Sequence, residues 1–325
     1  MRFCRTVVVL LWLVSFAISA GAFLVPGKPV RLVVPFPPGS DAFDGTARIV
    51  AQRLGPALGV PVVVENRPGA GTVIGNQVVA SSPPDGHTLL YGASTSLTLL
   101  PHQVARLPYD ALRDFTPITL VARSGMVLLV SAAVPVNDVG ELIAYAKAHP
   151  GKLSYAAWQL GGLNHVYMEM LKADAGLDIV QVPYKGPPDA VKDLIEGRVQ
   201  LMMGASQLHL SYVRSGKLRS LAAANSGRVP GWREVPTFAE QGLQGYDHSG
   251  GIAVFGPAHM PAHVVARLND EFARILRAPD VVELMTRAVP TLEVAPSTPE
   301  ALGALVKAQH EQMGAVIRRL GIRIE

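Results

Sequence analysis

Val30-Arg31-Leu32-Val33-Val34-Pro35-Phe36 is a β-branched, apolar run; Pro37-Pro38-Gly39-Ser40 breaks it, and a helical stretch follows from about Asp44 to Leu54. That order of strand, loop and helix is the unit from which parallel sheets are built. It recurs at once. Residues 60–65 read as a strand, a Gly-rich turn follows, and residues 74–81 read as a helix; a strand over 88–92 and a less regular segment to Pro108 come next. Alternation of this kind predicts an α/β architecture with mostly parallel sheets flanked by helices.

A second set begins at Met126–Ser131, with a helix over about 138–149 that Pro150-Gly151 stops. Strand and helix then alternate three times: 153–157 with 164–173, 179–182 with 188–196, and 200–203 with 207–215. Gly197 and Gly216 stand where glycine ends helices. Beyond a strand over 218–223 come a short helix near Phe238, a strand over 252–255, and helices from Pro261 and Asp280. Ser297 and Glu300 are spaced as a capping box, with Pro299 at the first position of a last helix. No Gly-, Ser- or Pro-rich linker divides the sets, so two lobes joined by crossing strands are expected: residues 23–123 with 225–325, and residues 124–224. A length of 325 residues fits two domains.

Composition narrows the function. Hydrophobic residues make up 49% and charged residues 17% of the chain, which also holds 31 Gly and 26 Pro, the profile of a folded protein with many tight connections. Arg2 and Arg5, an apolar run from Val7 to Ile18, and Ala20-Gly21-Ala22 read as an export signal over residues 1–22, too short to span a membrane. The single cysteine, Cys4, precedes that run, so the mature chain has no thiol for a disulfide, a nucleophile or a metal. Removing Arg2 and Arg5 lowers the formal charge from +4 to +2, and no block of like charges marks a nucleic-acid partner.

Catalytic motifs fail on inspection. Gly92-Ala93-Ser94-Thr95-Ser96 lacks the second glycine of a nucleophile elbow. Gly69-Ala70-Gly71-Thr72-Val73-Ile74 follows a strand but has isoleucine where a dinucleotide loop needs glycine, and reads as a tight turn. His259 and His263 are four apart, but Pro261 starts the helix between them and leaves His259 outside it. Neither a metal nor a cofactor is expected, and the chain is not read as an enzyme.

Seven segments, in order, resemble the receptors of tripartite tricarboxylate transporters, the Bug family. They are Val33-Val34-Pro35-Phe36-Pro37-Pro38-Gly39, Val63 to Gly71, Pro84 to Leu90, Leu107-Pro108-Tyr109-Asp110, Val182-Pro183-Tyr184-Lys185-Gly186, Gly216-Lys217-Leu218-Arg219 and Val235-Pro236-Thr237. The resemblance implies a type II periplasmic-binding-protein fold whose two lobes close on a carboxylate-bearing ligand. It implies a periplasmic location, a membrane transporter of the same type as partner, and no nucleic acid; we expect a monomer. A sensor whose closed form docks on a membrane kinase is the alternative output, and a secreted hydrolase a remote one.

Binding loops of a parallel sheet lie at the carboxyl ends of its strands, where each following helix offers unpaired N–H groups. Phe36, Pro38, Gly39 and Ser40 form such a loop in the first lobe, and Trp158, Gly161, Gly162 and His165 lie in its counterpart in the second. The family pattern adds Gly69, Ala70, Ser94, Thr95, Tyr184 and Gly186. Against that pattern, Gly39 to Asp44 carries one extra residue. Asp44 is read as a helix N-cap, with contact to a ligand ammonium group as the other reading. Hydroxyl donors usual after Tyr155-Ala156 are missing, as is a tryptophan usual near Gly251; Trp158 either replaces that wall or packs beside the cleft.

Overall fold

The computed structural model describes residues 24–324 apart from 159, 205, 206, 226 and 249. The export signal expected over residues 1–22 therefore lies outside the described residues.

The opening stretch forms β1 (Val30–Val34), in which Val30, Leu32, Val33 and Val34 are all fully buried. After the loop, a π-helical turn over Asp41–Gly45 runs straight into α1 (Thr46–Leu58). A π turn holds one residue more than an α turn would, which is where the extra residue of this loop is absorbed. Next come β2 (Val62–Asn66), α2 (Val73–Ala80), β3 (Thr88–Ala93), α3 (Thr95–Thr98), α4 (Leu100–Gln103) and β4 (Phe115–Ser124). The second set comprises β5 (Met126–Ser131), α5 (Val139–Ala148), β6 (Leu153–Ala157), α6 (Leu163–Ala175), β7 (Ile179–Pro183), α7 (Pro187–Ile195), β8 (Leu201–Gly204), α8 (Gln207–Arg214) and β9 (Leu218–Ala224). The chain closes with β10 (Gly250–Pro257), α9 (Ala262–Leu276), α10 (Pro279–Ala288), β11 (Leu292–Val294) and α11 (Pro299–Leu320).

Two sheets result, ordered β11-β4-β10-β3-β1-β2 and β7-β6-β8-β5-β9. β1 pairs in parallel with β2 and β3, and β6 in parallel with β7 and β8, as the alternation of strand and helix requires. The sheets are nonetheless mixed. β10 runs antiparallel between β3 and β4, and β5 antiparallel between β8 and β9. β10 and β5 belong to the crossings between sheets, since β4 passes into β5 through Gly125 and β10 receives the chain returning from β9; β11, antiparallel to β4, closes the edge of the first sheet.

Packing of the last segments differs from the order of the sequence. Val229, Trp232 and Val235 pack with Val127, Leu129 and Met202 of the second sheet, and Phe238 and Tyr246 join the core on its other face. α11 serves both sheets. Its Leu302 and Val306 pack with Val33, Leu90 and Phe255, whereas its Met313 and Ile317 pack with Tyr155, Val166 and Met170. Arg319 extends the second contact with an ion pair to Asp174 of α6 at 2.9 Å.

Three local expectations change. β4 and β11 were not foreseen; Pro117 breaks the pattern of β4, but it lies beyond the stretch paired with β11 and beside an irregularity opposite Val254 and Phe255, where a strand tolerates proline. The cap of α11 is Thr298, whose hydroxyl accepts from the Ala301 amide at 3.2 Å. Ser297, expected in that role, instead accepts from the Leu120 amide at 3.0 Å and ties the helix start to β4.

Candidate functional site

The carboxyl ends of β1, β2 and β3 in one sheet and of β6 in the other open onto one cavity of about 660 Å³. Its floor is made by the crossing strands through Ser124, Met126, Gly250, Gly251 and Ile252.

From the first loop, Phe36 and Phe43 reach the wall, their rings stacked 3.8 Å apart and 9° from parallel. Pro38, Gly39, Ser40 and Asp44 lie behind it. Asp44 is 4% exposed, and its carboxylate accepts from the Gly39 amide (2.9 Å), the Asn66 side chain (2.9 Å) and Arg48 (2.9 Å). The Arg48 hydrogen bond outweighs the cost of burial, and with the other donors it lowers the Asp44 pKa to about 2. The N-cap reading of Asp44 is corrected: the side chain that caps the turn is Ser40, which accepts from the Asp44 amide at 3.2 Å. The Gly39 amide is taken by Asp44 and is not offered to a ligand.

In the β2–α2 turn, Gly69, Ala70, Gly71 and Thr72 all have positive φ, at 129°, 44°, 60° and 90°. Glycine adopts this freely, but a β-branched threonine does so only under constraint. Here the Thr72 hydroxyl accepts from Asn76 Nδ2 (3.5 Å), which also donates to the Tyr109 hydroxyl (3.0 Å), and Asn76 is fully buried. Ala70, Gly71 and Thr72 line the cavity; Gly69 lies behind, where an added Cβ would stand 2.5 Å from Ile74. Strain of this kind gathers where a surface is held for a ligand.

After β3, Thr95 and Ser96 line the cavity, whereas Ser94 is buried with its amide donating to the Gly251 carbonyl at 2.9 Å. The Ser96 hydroxyl donates to the Ala93 carbonyl at 2.7 Å.

The opposite wall is the β6–α6 loop: Trp158, Leu160, Gly161, Gly162, Leu163 and Asn164. Gly161, at φ 74°, is clamped from two sides. Its amide donates to His165 Nδ1 at 2.9 Å, and its carbonyl accepts from Gln103 Nε2 of the first lobe at 2.7 Å. His165 thus braces the loop from behind; its burial lowers its pKa, which keeps the ring neutral and Nδ1 free to accept. Trp158 combines both roles offered by the sequence, lining the cavity while also packing against the core around Ala156 and Val191. Tyr184 and Gly186 do not reach the cavity. Tyr184 donates to Asp193 at 2.8 Å, and burial followed by that carboxylate pushes its pKa up to about 12.

The sequence reading missed Phe43, Thr72, Gln103, Arg106 and Ile324. The extra residue in the first loop was the available signal for Phe43, since it swings that ring onto Phe36. Ile324 had none: its amide donates to the Gln103 carbonyl at 3.1 Å, 221 positions away in sequence, a contact made only by the fold. Arg106, on the rim, is the one charged side chain among the described lining residues. α6 starts at Gly162 with no side chain capping it, and Asn164 Nδ2, buried beside that helix start, has no partner among the described residues. No group of three or more His, Cys, Asp or Glu among the described residues is placed to hold a metal ion.

Residues 46–322 match the family described as the tripartite tricarboxylate transporter family receptor. The UPF0065 protein in the tcbD-tcbE intergenic region of Pseudomonas sp. (strain P51) is 38% identical over 293 residues, covering 90% of this chain and 86% of that one. Protein BugT of Bordetella pertussis is 33% identical over 316 residues, covering 96% and 95%. The solved structure of R. palustris Rpa4515 with adipate superposes with a TM-score of 0.77 at 32% identity, covering 92% of this chain and 99% of that one. Taken with the two mixed sheets and the cavity between them, these matches show that the chain belongs to the tripartite tricarboxylate transporter receptor family of solute-binding proteins.

Proposed function

We propose that this chain is an exported, monomeric periplasmic receptor that closes around a small carboxylate and presents it to a membrane transporter of the tripartite tricarboxylate type. The observation that carries this reading is the cavity itself: loops at the carboxyl ends of strands from two sheets face one space, and the uncapped start of α6 stands in its wall. An uncapped helix start offers N–H donors and a favourable dipole to an anion. The adipate held by the Rpa4515 relative is a ligand of that class. For the lobes we propose a division near Gly125 and near residue 249, because residues 229–246 pack with the second sheet.

The chain binds and releases; it does not transform. Each charge-assisted hydrogen bond contributes about 1.5–3 kcal/mol, and a micromolar ligand needs about 8 kcal/mol after the cost of closure. Four or five donors suffice. A thermal-shift screen of carboxylates on the mature chain tests the reading. A ligand at about 100 times its Kd stabilises the fold by about 2.7 kcal/mol. Mono-, di- and tricarboxylates that all left the melting temperature unchanged would refute it.

A further inference from the structure

The cavity is far more apolar than a site for a polyanion should be. Arg106 is the one ionised side chain among the described lining residues, and it sits exposed at the rim. Several neutral donors are committed: the Ser96 hydroxyl to the Ala93 carbonyl, Gln103 Nε2 to the Gly161 carbonyl, and the Gly161 amide to His165, which leaves the Thr95 and Ser124 hydroxyls at the cavity surface uncommitted among the described residues. Against this stand Leu99, Leu100, Leu107, Met126, Leu163 and Ile252. A second or third carboxylate would have to leave water for a wall of methyl groups, at a cost that rises steeply for an unpaired charge. Two flat aromatic surfaces also face this space. The stacked Phe36–Phe43 pair comes from one lobe, and Trp158 from the other.

One buried side-chain donor in the wall has no partner among the described residues. Asn164 is 2% exposed and lines the cavity, and its Nδ2 has no partner among the described residues. A buried amide with no partner has lost its hydrogen bonds to water, and a ligand that supplies a partner recovers that loss on binding. The terminal torsion of asparagine is soft, so its amide can reorient without moving the backbone. It stands at the second position of α6, beside the N–H groups of a helix start that no side chain caps.

Resting on the carboxylate reading above, we infer that the ligand is an aromatic monocarboxylate. Its single carboxylate is fixed by Asn164 Nδ2 together with the start of α6, and its ring packs between the Phe36–Phe43 pair and Trp158. Asn164 takes the place of the hydroxyl donors that the β6–α6 loop lacks.

Isothermal titration of the mature chain with benzoate, phenylacetate and 3-phenylpropionate, against succinate, adipate and citrate, tests the class. At least one aromatic acid should bind at least about tenfold more tightly than every di- or tricarboxylate. A polyacid that binds as well or better overturns the inference and leaves carboxylate binding standing; six silent titrations overturn both. For Asn164, N164L should weaken the best aromatic acid at least about tenfold. If near-ultraviolet circular dichroism shows N164L misfolded, the isosteric N164D, which sets a carboxylate against the ligand's own, should give the same loss. A folded variant of either kind that keeps wild-type affinity removes Asn164 from the site.

Discussion

Gly161 is the residue on which the most constraints meet. Its φ of 74° suits glycine, its amide and carbonyl are both bonded, and a Cβ there would collide with Ile324 and stand 2.7 Å from Gln103 Oε1. G161A should therefore lower stability by about 2 kcal/mol or more, measured by urea unfolding, and weaken ligand binding with it. Arg106 makes the opposite case. An exposed cation at the rim acts on the approach of an anion more than on its retention. Stopped-flow measurements should show R106A slowing association several-fold and flattening its salt dependence, with dissociation nearly unchanged. A faster dissociation of the same size would instead make Arg106 a clamp. The Asp44 carboxylate, its pKa lowered from 3.8 to about 2, contributes stability that is present above pH 3.8 and lost as pH falls toward 2.

Among the elements, those with a clear period and clean stops were legible in the sequence. Leu153–Ala157 and Met126–Ser131 have the same bounds in sequence and structure, and α5, α6 and α7 differ from expectation by a residue or two at their ends. What failed was set by tertiary contact. β4 carries a proline that only its place beside β10 excuses, and β11 is three residues long and exists by pairing with β4. In the site, glycines and aromatic residues at strand ends could be picked out, but which of them face the cavity could not. That depends on hydrogen bonds such as Asp44 to Gly39 and Tyr184 to Asp193, which turn groups away. The β6–α6 loop offers a direct check on orientation. Of the two tryptophans in the described residues, Trp232 is fully buried in the second-sheet core and Trp158 lines the cavity. Ligand should change the fluorescence of the wild type, and W158F should lose that change; a full signal in W158F would move the ligand away from this loop.

At the scale of the whole molecule, stability depends on buried histidines and on one helix that packs against both sheets. Burial lowers His209 and His248 to about 4 and lowers His165 as well. The unfolded chain takes up protons near pH 6.5 that the folded chain refuses, so stability rises with pH across the interval from about 4 to 6.5 and levels off above it. His209 and His248 are each worth about 1.4 kcal/mol for every pH unit between about 4 and 6.5, and denaturation midpoints measured from pH 4 to 8 should trace that slope. α11 meanwhile packs on both sheets, and Gln103 bonds across the cleft to Gly161, so the lobes already touch at one side of the cavity. On the function proposed above, closure would be a hinge motion about the strand crossings between the two sheets, with the cavity as the space that shrinks. Small-angle X-ray scattering of the mature chain, titrated with the carboxylate that binds best, measures this most directly. Capture by closure predicts a radius of gyration that falls in step with calorimetric saturation. Scattering that stays unchanged while the calorimetric signal saturates would contradict it.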